Sequence, residues 1–284
     1  MDKPNFFNFF DTGLSIATAN TDKPFASSLC RFEDMITKEY IDICTKVIHQ
    51  QPIQHRKQWE YAYIVWTLCS SGKLTEGSKG IGFGVGSEPL PAAFSAMKCT
   101  ILATDAPSEN NDQGWALTGQ HASSLHQLSR PDIISDSELA KFCTFKELDM
   151  NDYSSIPTGW DFHWSSCVIE HLGGIQKAID FLVESAKMLA PGGIAVHTTE
   201  FNLSSNLDTL DEPGTCIPRK RDLDGLRHQL ENAGLVMQDL VLDPGTHIYN
   251  YHVDCPPYES YNHLRLKLGQ YISTSIGIVI TRPN

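Results

Sequence analysis

The chain is short of positive charge. Its 284 residues carry 22 Lys and Arg against 34 Asp and Glu, a net charge of −12. A protein whose main partner is a phosphate backbone needs clustered Lys and Arg, so nucleic acid is not the expected partner. The dense basic run, Arg219-Lys220-Arg221, reads as a solvated helix start. Cysteines are scattered (30, 44, 69, 99, 143, 167, 216 and 255) with no Cys-x-x-Cys pair. That excludes zinc-finger spacing and the disulfide framework of a small secreted domain. Reduced thiols in a cytoplasmic protein are the expectation. No apolar run approaches the roughly 18 residues of a membrane span. The start, Met1-Asp2-Lys3-Pro4, lacks the basic-then-apolar pattern of a secretory leader. Repeats and low-complexity tracts are absent too.

What remains is ordinary globular composition, 41% hydrophobic and 20% charged. The length suits one large α/β domain with a small cap. Residues 6–10 hold an aromatic cluster. Residues 32–48 and 56–68 read as helices, the second carrying Trp59, Tyr63 and Trp66 as core packing. From residue 79 the pattern alternates. Strands are expected at 80–85, 99–103, 143–148, 162–167, 194–199, 236–242 and 275–281. Helices are expected at 91–97, 175–189 and 222–233. Such alternation implies a largely parallel sheet covered on both faces. Residues 243–273, rich in His, Tyr and Pro, are too long for a plain turn and read as a functional insertion.

The segment Gly80-Ile81-Gly82-Phe83-Gly84-Val85-Gly86-Ser87-Glu88-Pro89 sits at a strand-to-helix turn. Glycines there admit positive φ and let a ligand approach exposed amides. Asp105 ends the next strand, 19 residues after Gly86. A carboxylate there can accept from both ribose hydroxyls of a nucleoside, a logic shared with NAD enzymes. The spacing differs from the dinucleotide Gly-x-Gly-x-x-Gly.

These residues resemble the class I S-adenosylmethionine-dependent methyltransferases. Residues 79–105 look like that family's first two strands, and Leu148-Asp149-Met150-Asn151 like its third-strand element. Asp161-Phe162-His163-Trp164-Ser165-Ser166 looks like its fourth strand, and Leu189-Ala190-Pro191-Gly192-Gly193 like the turn before its fifth. The resemblance implies a doubly wound, mostly parallel, seven-stranded Rossmann-like sheet. Residues 1–70 would form an N-terminal helical cap and 71–284 the cofactor-binding domain, with 243–273 as a lid-like insertion. It implies S-adenosylmethionine held by Gly82, Gly84, Gly86, Glu88, Asp105 and Ala106. Asp149 would take the adenine amino group, the Met150 amide would face the ring, and Ser165 would lie beside the methionine. Trp115 could stack on adenine with Gln120 nearby. The family's usual acid two residues before the first glycine is replaced by Gly80, so the methionine ammonium needs another holder, Glu88 or a cap residue.

Cys167-Val168-Ile169-Glu170-His171-Leu172 follows the fourth strand. His171 suits a general base because histidine titrates near neutrality; a helix cap and polar packing is the plain alternative. The segment is similar to the metal-holding Glu-x-x-Glu-His motif of some small-RNA and ubiquinone-precursor methyltransferases, with Cys167 in place of the first Glu. A divalent metal on Glu170, His171 and Glu200 is therefore a further expectation. His197 and Glu200, in the fifth strand, join His171 as catalytic candidates, and Asn202 as a substrate-binding one. Alternate strand residues face opposite ways, so not all can reach one site. In the insertion, His247, Tyr251, His252 and Asp254 are the substrate-binding candidates. This histidine-rich set favours methylation of a hydroxyl on a small polar acceptor such as a sugar, glycan intermediate or natural product. The alternatives are N-methylation of a small metabolite, an NAD(P) or nucleotide-sugar oxidoreductase, and a catalytically silent methyltransferase-like interaction module. The expected partner is a small-molecule acceptor, not nucleic acid or a membrane, and the expected assembly a homodimer.

Overall fold

The computed structural model describes residues 26–107, 121–259 and 261–284. The aromatic cluster at 6–10, Trp115 and Gln120 lie outside the described residues. Strands β1 (Lys79–Phe83), β2 (Thr100–Asp105), β3 (Cys143–Glu147), β4 (Trp160–Ser166) and β5 (Leu189–Asn202) pair in parallel. Three more, β6 (Val236–Met237), β7 (Leu266–Leu268) and β8 (Tyr271–Thr281), complete the sheet. β8 runs antiparallel to each of its neighbours β5, β6 and β7. The order is β7-β8-β5-β4-β1-β2-β3, with β6 also on β8. Among the described residues the sheet thus has eight strands rather than the expected seven. The addition is β7, three residues of the insertion that fold back beside β8 and are too short to show an alternating pattern.

Strand periodicity assigns side chains to two faces. On one, Phe162, Trp164, Val196 and Val279 meet helix α1 (Arg56–Ser70) and helix α2 (Leu90–Ala96). On the other, Ile81, Phe83, Ala195, Ile278 and Ile280 meet α4 (Ile175–Ala186) and α5 (Lys220–Asn232). Helix α3 (Asp136–Phe142) leads into β3. Glycines set how closely these layers approach. A Cβ on Gly80 would lie 2.3 Å from the Phe162 ring, one on Gly82 2.4 Å from Trp164, and one on Gly277 2.1 Å from Tyr63 of α1. The bare backbone therefore makes the space that three large rings fill, each such ring being worth roughly 1.5–3 kcal/mol when buried.

Residues 32–48 do not form one helix. They break into Phe32–Met35, Lys38–Asp42 and a wider turn at Ile43–Val47. The Thr37 side chain restarts the second piece by accepting from the Tyr40 amide at 3.2 Å, a capping role that competes with continuing the first.

The order reverses between β4 and β1, so a crevice opens at their carboxyl ends. The turns after β1 and β4 form its rims.

Candidate active site

A cavity of about 910 Å³ occupies that crevice. One wall is the glycine turn. Gly84 and Gly86 take φ of +58° and +49°, conformations that favour glycine, and Gly84 has no room for a side chain against Val168. Asp105 closes this wall. Its carboxylate accepts from the amides of Gly86 (3.0 Å), Ala106 (2.8 Å) and Ala122 (2.9 Å). Burial nevertheless raises its pKa, outweighing those amides. Ala106, Asp149 and Met150 line the same end. Gly84, Gly86, Glu88, Asp105, Ala106, Asp149 and Met150 thus come together around one cavity.

Gly82 and Ser165 do not reach it. Gly82 lies beneath the Trp164 ring. Ser165 points to the opposite face, where its hydroxyl meets His197 Nδ1 at 2.7 Å. One residue along the strand, Ser166 and then Cys167 line the cavity instead.

The opposite wall begins at the first turn of α1. His55 caps that helix, its Nδ1 accepting from the Lys57 amide at 3.1 Å, so the ring is neutral. Burial, followed by the neighbouring His263, pushes His55 down to about 4. Arg56 reaches Glu200 at 2.5 Å, Ser275 at 3.1 Å, and Glu60 and Cys167 at 3.4 Å. Glu60, wholly buried, accepts from Ser166, Cys167, Thr198 and Ser275. Burial alone would raise Glu60, but Lys57 and Arg56 hold it below its ordinary value. Glu200 stays raised, because burial exceeds the pull of Arg56. The Cys167 thiol, at φ +48°, is raised well above its ordinary value by burial and the adjacent carboxylates. It is a hydrogen-bond donor to Glu60, not a thiolate nucleophile.

Donor atoms of Cys167, Glu170 and Glu200 lie within 4.8 Å of one another. His171 is not among them; its Nδ1 meets the Gly214 carbonyl at 2.8 Å. Glu200 is already paired with Arg56 and Glu170 accepts from the Thr199 hydroxyl at 2.9 Å, so the donor set does not fit the expected metal on Glu170, His171 and Glu200.

His197 is a correction. It is fully buried on the far face of the sheet, and burial drives its pKa well below normal. Asn202 also works structurally, accepting from the amides of Ser204 (2.7 Å) and Ser205 (3.1 Å). In the insertion, His247 stacks on Phe32 at 4.0 Å, and neither Tyr251 nor exposed His252 lines the cavity. Asp254 acts at one remove: it meets His263 Nδ1 at 2.5 Å, and His263, stacked 4.7 Å from His55, lines the cavity with Tyr258. A carboxylate that accepts from Nδ1 fixes the tautomer and leaves Nε2 to take a proton. Sequence reading missed Arg56, Lys57, Glu60 and His263. The signal for the first three was present: charges three and four apart inside an otherwise apolar helix.

No protein-family model matches the chain, and no curated protein does. Several solved structures are similar to it. The magnesium protoporphyrin IX methyltransferase from Synechocystis PCC 6803 is 13% identical over 80% of this chain and 83% of its own, with a TM-score of 0.47. The 1,6-didemethyltoxoflavin-N1-methyltransferase from Burkholderia thailandensis is 12% identical over 76% and 75%, at 0.41. The cyclase SpnF is 16% identical over 79% and 82%, at 0.48. The fold is Rossmann-like. The strand order and the glycine turn carry that assignment; a fold by itself does not fix a function. Among the described residues no helix is long and apolar enough to cross a membrane.

Proposed function

We propose that the protein is a class I S-adenosylmethionine-dependent methyltransferase that methylates a hydroxyl of a small polar acceptor. The observation that carries this reading is the two-sided cavity at the switch point of the sheet. One side offers the glycine turn, Asp105 and Asp149 to an adenosine; the other offers His55, His171, Tyr258 and His263 to an acceptor.

Bound S-adenosylmethionine supplies a methyl group already activated by its sulfonium. The chain must hold the acceptor in line and exclude water. A hydroxyl must also lose its proton. His263 is the base of this reading, with Asp254 holding the ring. Burial would raise the Asp254 carboxyl, but the hydrogen bonds from His263 and the Glu259 amide lower it instead, which keeps it anionic beside an imidazolium. His171 is the second candidate, because a carbonyl partner on Nδ1 likewise leaves the proton-accepting nitrogen at Nε2.

The test is a screen of hydroxyl and amine acceptors for S-adenosylhomocysteine formation, with cofactor affinity measured separately. Turnover on hydroxyl acceptors is expected. His263→Asn should lower kcat about 10²- to 10⁴-fold while leaving cofactor affinity unchanged. Full turnover in that variant overturns the base, transfer to amines alone overturns the acceptor class, and absence of cofactor binding overturns the whole reading.

A further inference from the structure

The methyltransferase reading leaves the amino-acid end of the cofactor without its usual acid. Gly80 cannot be given one, because any side chain there would enter the Phe162 ring. A carboxylate arrives instead from beyond the turn. Glu88 is 5% exposed and lines the cavity beside Gly84, Gly86 and Ser166. Its Oε1 accepts from Trp164 Nε1 at 2.6 Å, and among the described residues its side chain makes no other hydrogen bond. A buried carboxylate with most of its acceptor capacity unused is costly unless a donor or cation meets it. Across the cavity α1 presents the opposite charge. Lys57 Nζ donates to the Ser166 carbonyl (2.9 Å) and hydroxyl (3.2 Å) and lies 3.6 Å from Glu60, with its side chain still 40% exposed.

We propose that Glu88 and Lys57 form a clamp for a zwitterion, Glu88 taking the ammonium and Lys57 the carboxylate of the cofactor's amino-acid end. The proposal rests on the methyltransferase reading and replaces the acid missing at Gly80 with two residues outside the glycine motif.

The groups that face Glu88 are Lys57, Glu60 and Tyr61 of α1, Asp105 of β2 and Trp164 of β4. Burial, opposed by Trp164 and Lys57 and reinforced by Asp105 and Glu60, brings Glu88 to about 8. The acid is then largely protonated at pH 7, whereas an ammonium needs the anion. Binding must therefore release a proton near pH 7, and affinity must rise with pH toward 8.

Calorimetric titration of the full chain, in buffers of different ionisation enthalpy, tests this with three probes. They are S-adenosylmethionine, its decarboxylated form, and 5′-methylthioadenosine, which lacks the amino-acid end. Glu88→Gln keeps an oxygen for Trp164. It should abolish proton release and weaken the first two probes about 10- to 100-fold while sparing methylthioadenosine. Lys57→Met should weaken S-adenosylmethionine but not its decarboxylated form. Undiminished proton release or affinity in Glu88→Gln, or an equal loss for methylthioadenosine, overturns the clamp. Failure of all three probes with the unaltered chain overturns instead the reading on which it rests.

Discussion

Gly80 shows how one missing side chain propagates. Its departure from the family pattern was visible in the sequence, but its cause was not. Phe162 lies 82 residues away and faces Gly80 only because β1 and β4 pair in register, Gly80 opposite Phe162 and Gly82 opposite Trp164. Adding one methyl forces that ring to move in a filled core. Gly80→Ala is expected to destabilise the protein by about 1–3 kcal/mol, read from denaturant midpoints at constant slope; wild-type stability in that variant would contradict the packing described. Ser165 and His197 teach a related lesson. Both were placed in the correct strands but on the wrong face, since strand parity is settled only once one neighbour is known to be buried. The alternation that carries Ser165 away brings Ser166 in.

At the scale of the element, α1 is where sequence reading stopped short. Its aromatic stripe was legible as core, and Trp59 and Tyr63 are indeed buried. Its first turn was not legible as part of a site, because Glu200, Ser166 and Cys167, which give Arg56, Lys57 and Glu60 their meaning, are more than 100 residues distant. His263 was hidden in the same way: Asp254 is nine residues away, but His55 of α1, against which it stacks, lies more than 200 residues distant. The charged turn is a buried network, and such networks fail asymmetrically. Removing the cation leaves buried Glu200 without its ion-pair partner and Glu60 with Lys57 alone, so Arg56→Met should cost about 3–5 kcal/mol. Adding Glu200→Gln should return part of that loss. A double-mutant cycle by chemical denaturation measures the coupling, and strictly additive effects would show that the pair is not coupled.

For the whole molecule, pH enters through two histidines behind the site. His163 and His197 pack 5.0 Å apart between Phe83 and Phe181. Neither His163 nitrogen nor His197 Nε2 makes a well-formed hydrogen bond among the described residues. Burial pushes His163 to about 3, against a weaker opposing pull from the Ser185 main chain, and depresses His197 as well. The unfolded chain would bind protons near the ordinary value of about 6.5, while the native state refuses them. The stability that depends on these neutral rings is complete above that value and is lost as pH falls toward 3. The slope approaches about 1.4 kcal/mol per pH unit for each histidine. His163→Leu should flatten the decline between pH 6.5 and 4.5, as read by urea midpoints across that range. Parallel slopes for variant and parent would rule out this source of acid lability.

The strand β8 joins regions far apart in the chain. Cys30 donates its amide to the Ser275 carbonyl, Leu29 bridges Ile276, and Tyr63 packs over Gly277. During synthesis the first of these partners would leave the ribosome about 250 residues before the second, and contacts of such separation form slowly. Until β8 arrives, α1 has only the part of its seat formed by β4 and β5, and β5 shows an unpaired edge. The nascent chain would therefore carry its glycine turn long before α1 acquires its full seat. It would be most exposed to aggregation and to proteases in that interval, and an amino-acid clamp built on α1 would be among the last parts of the protein to mature.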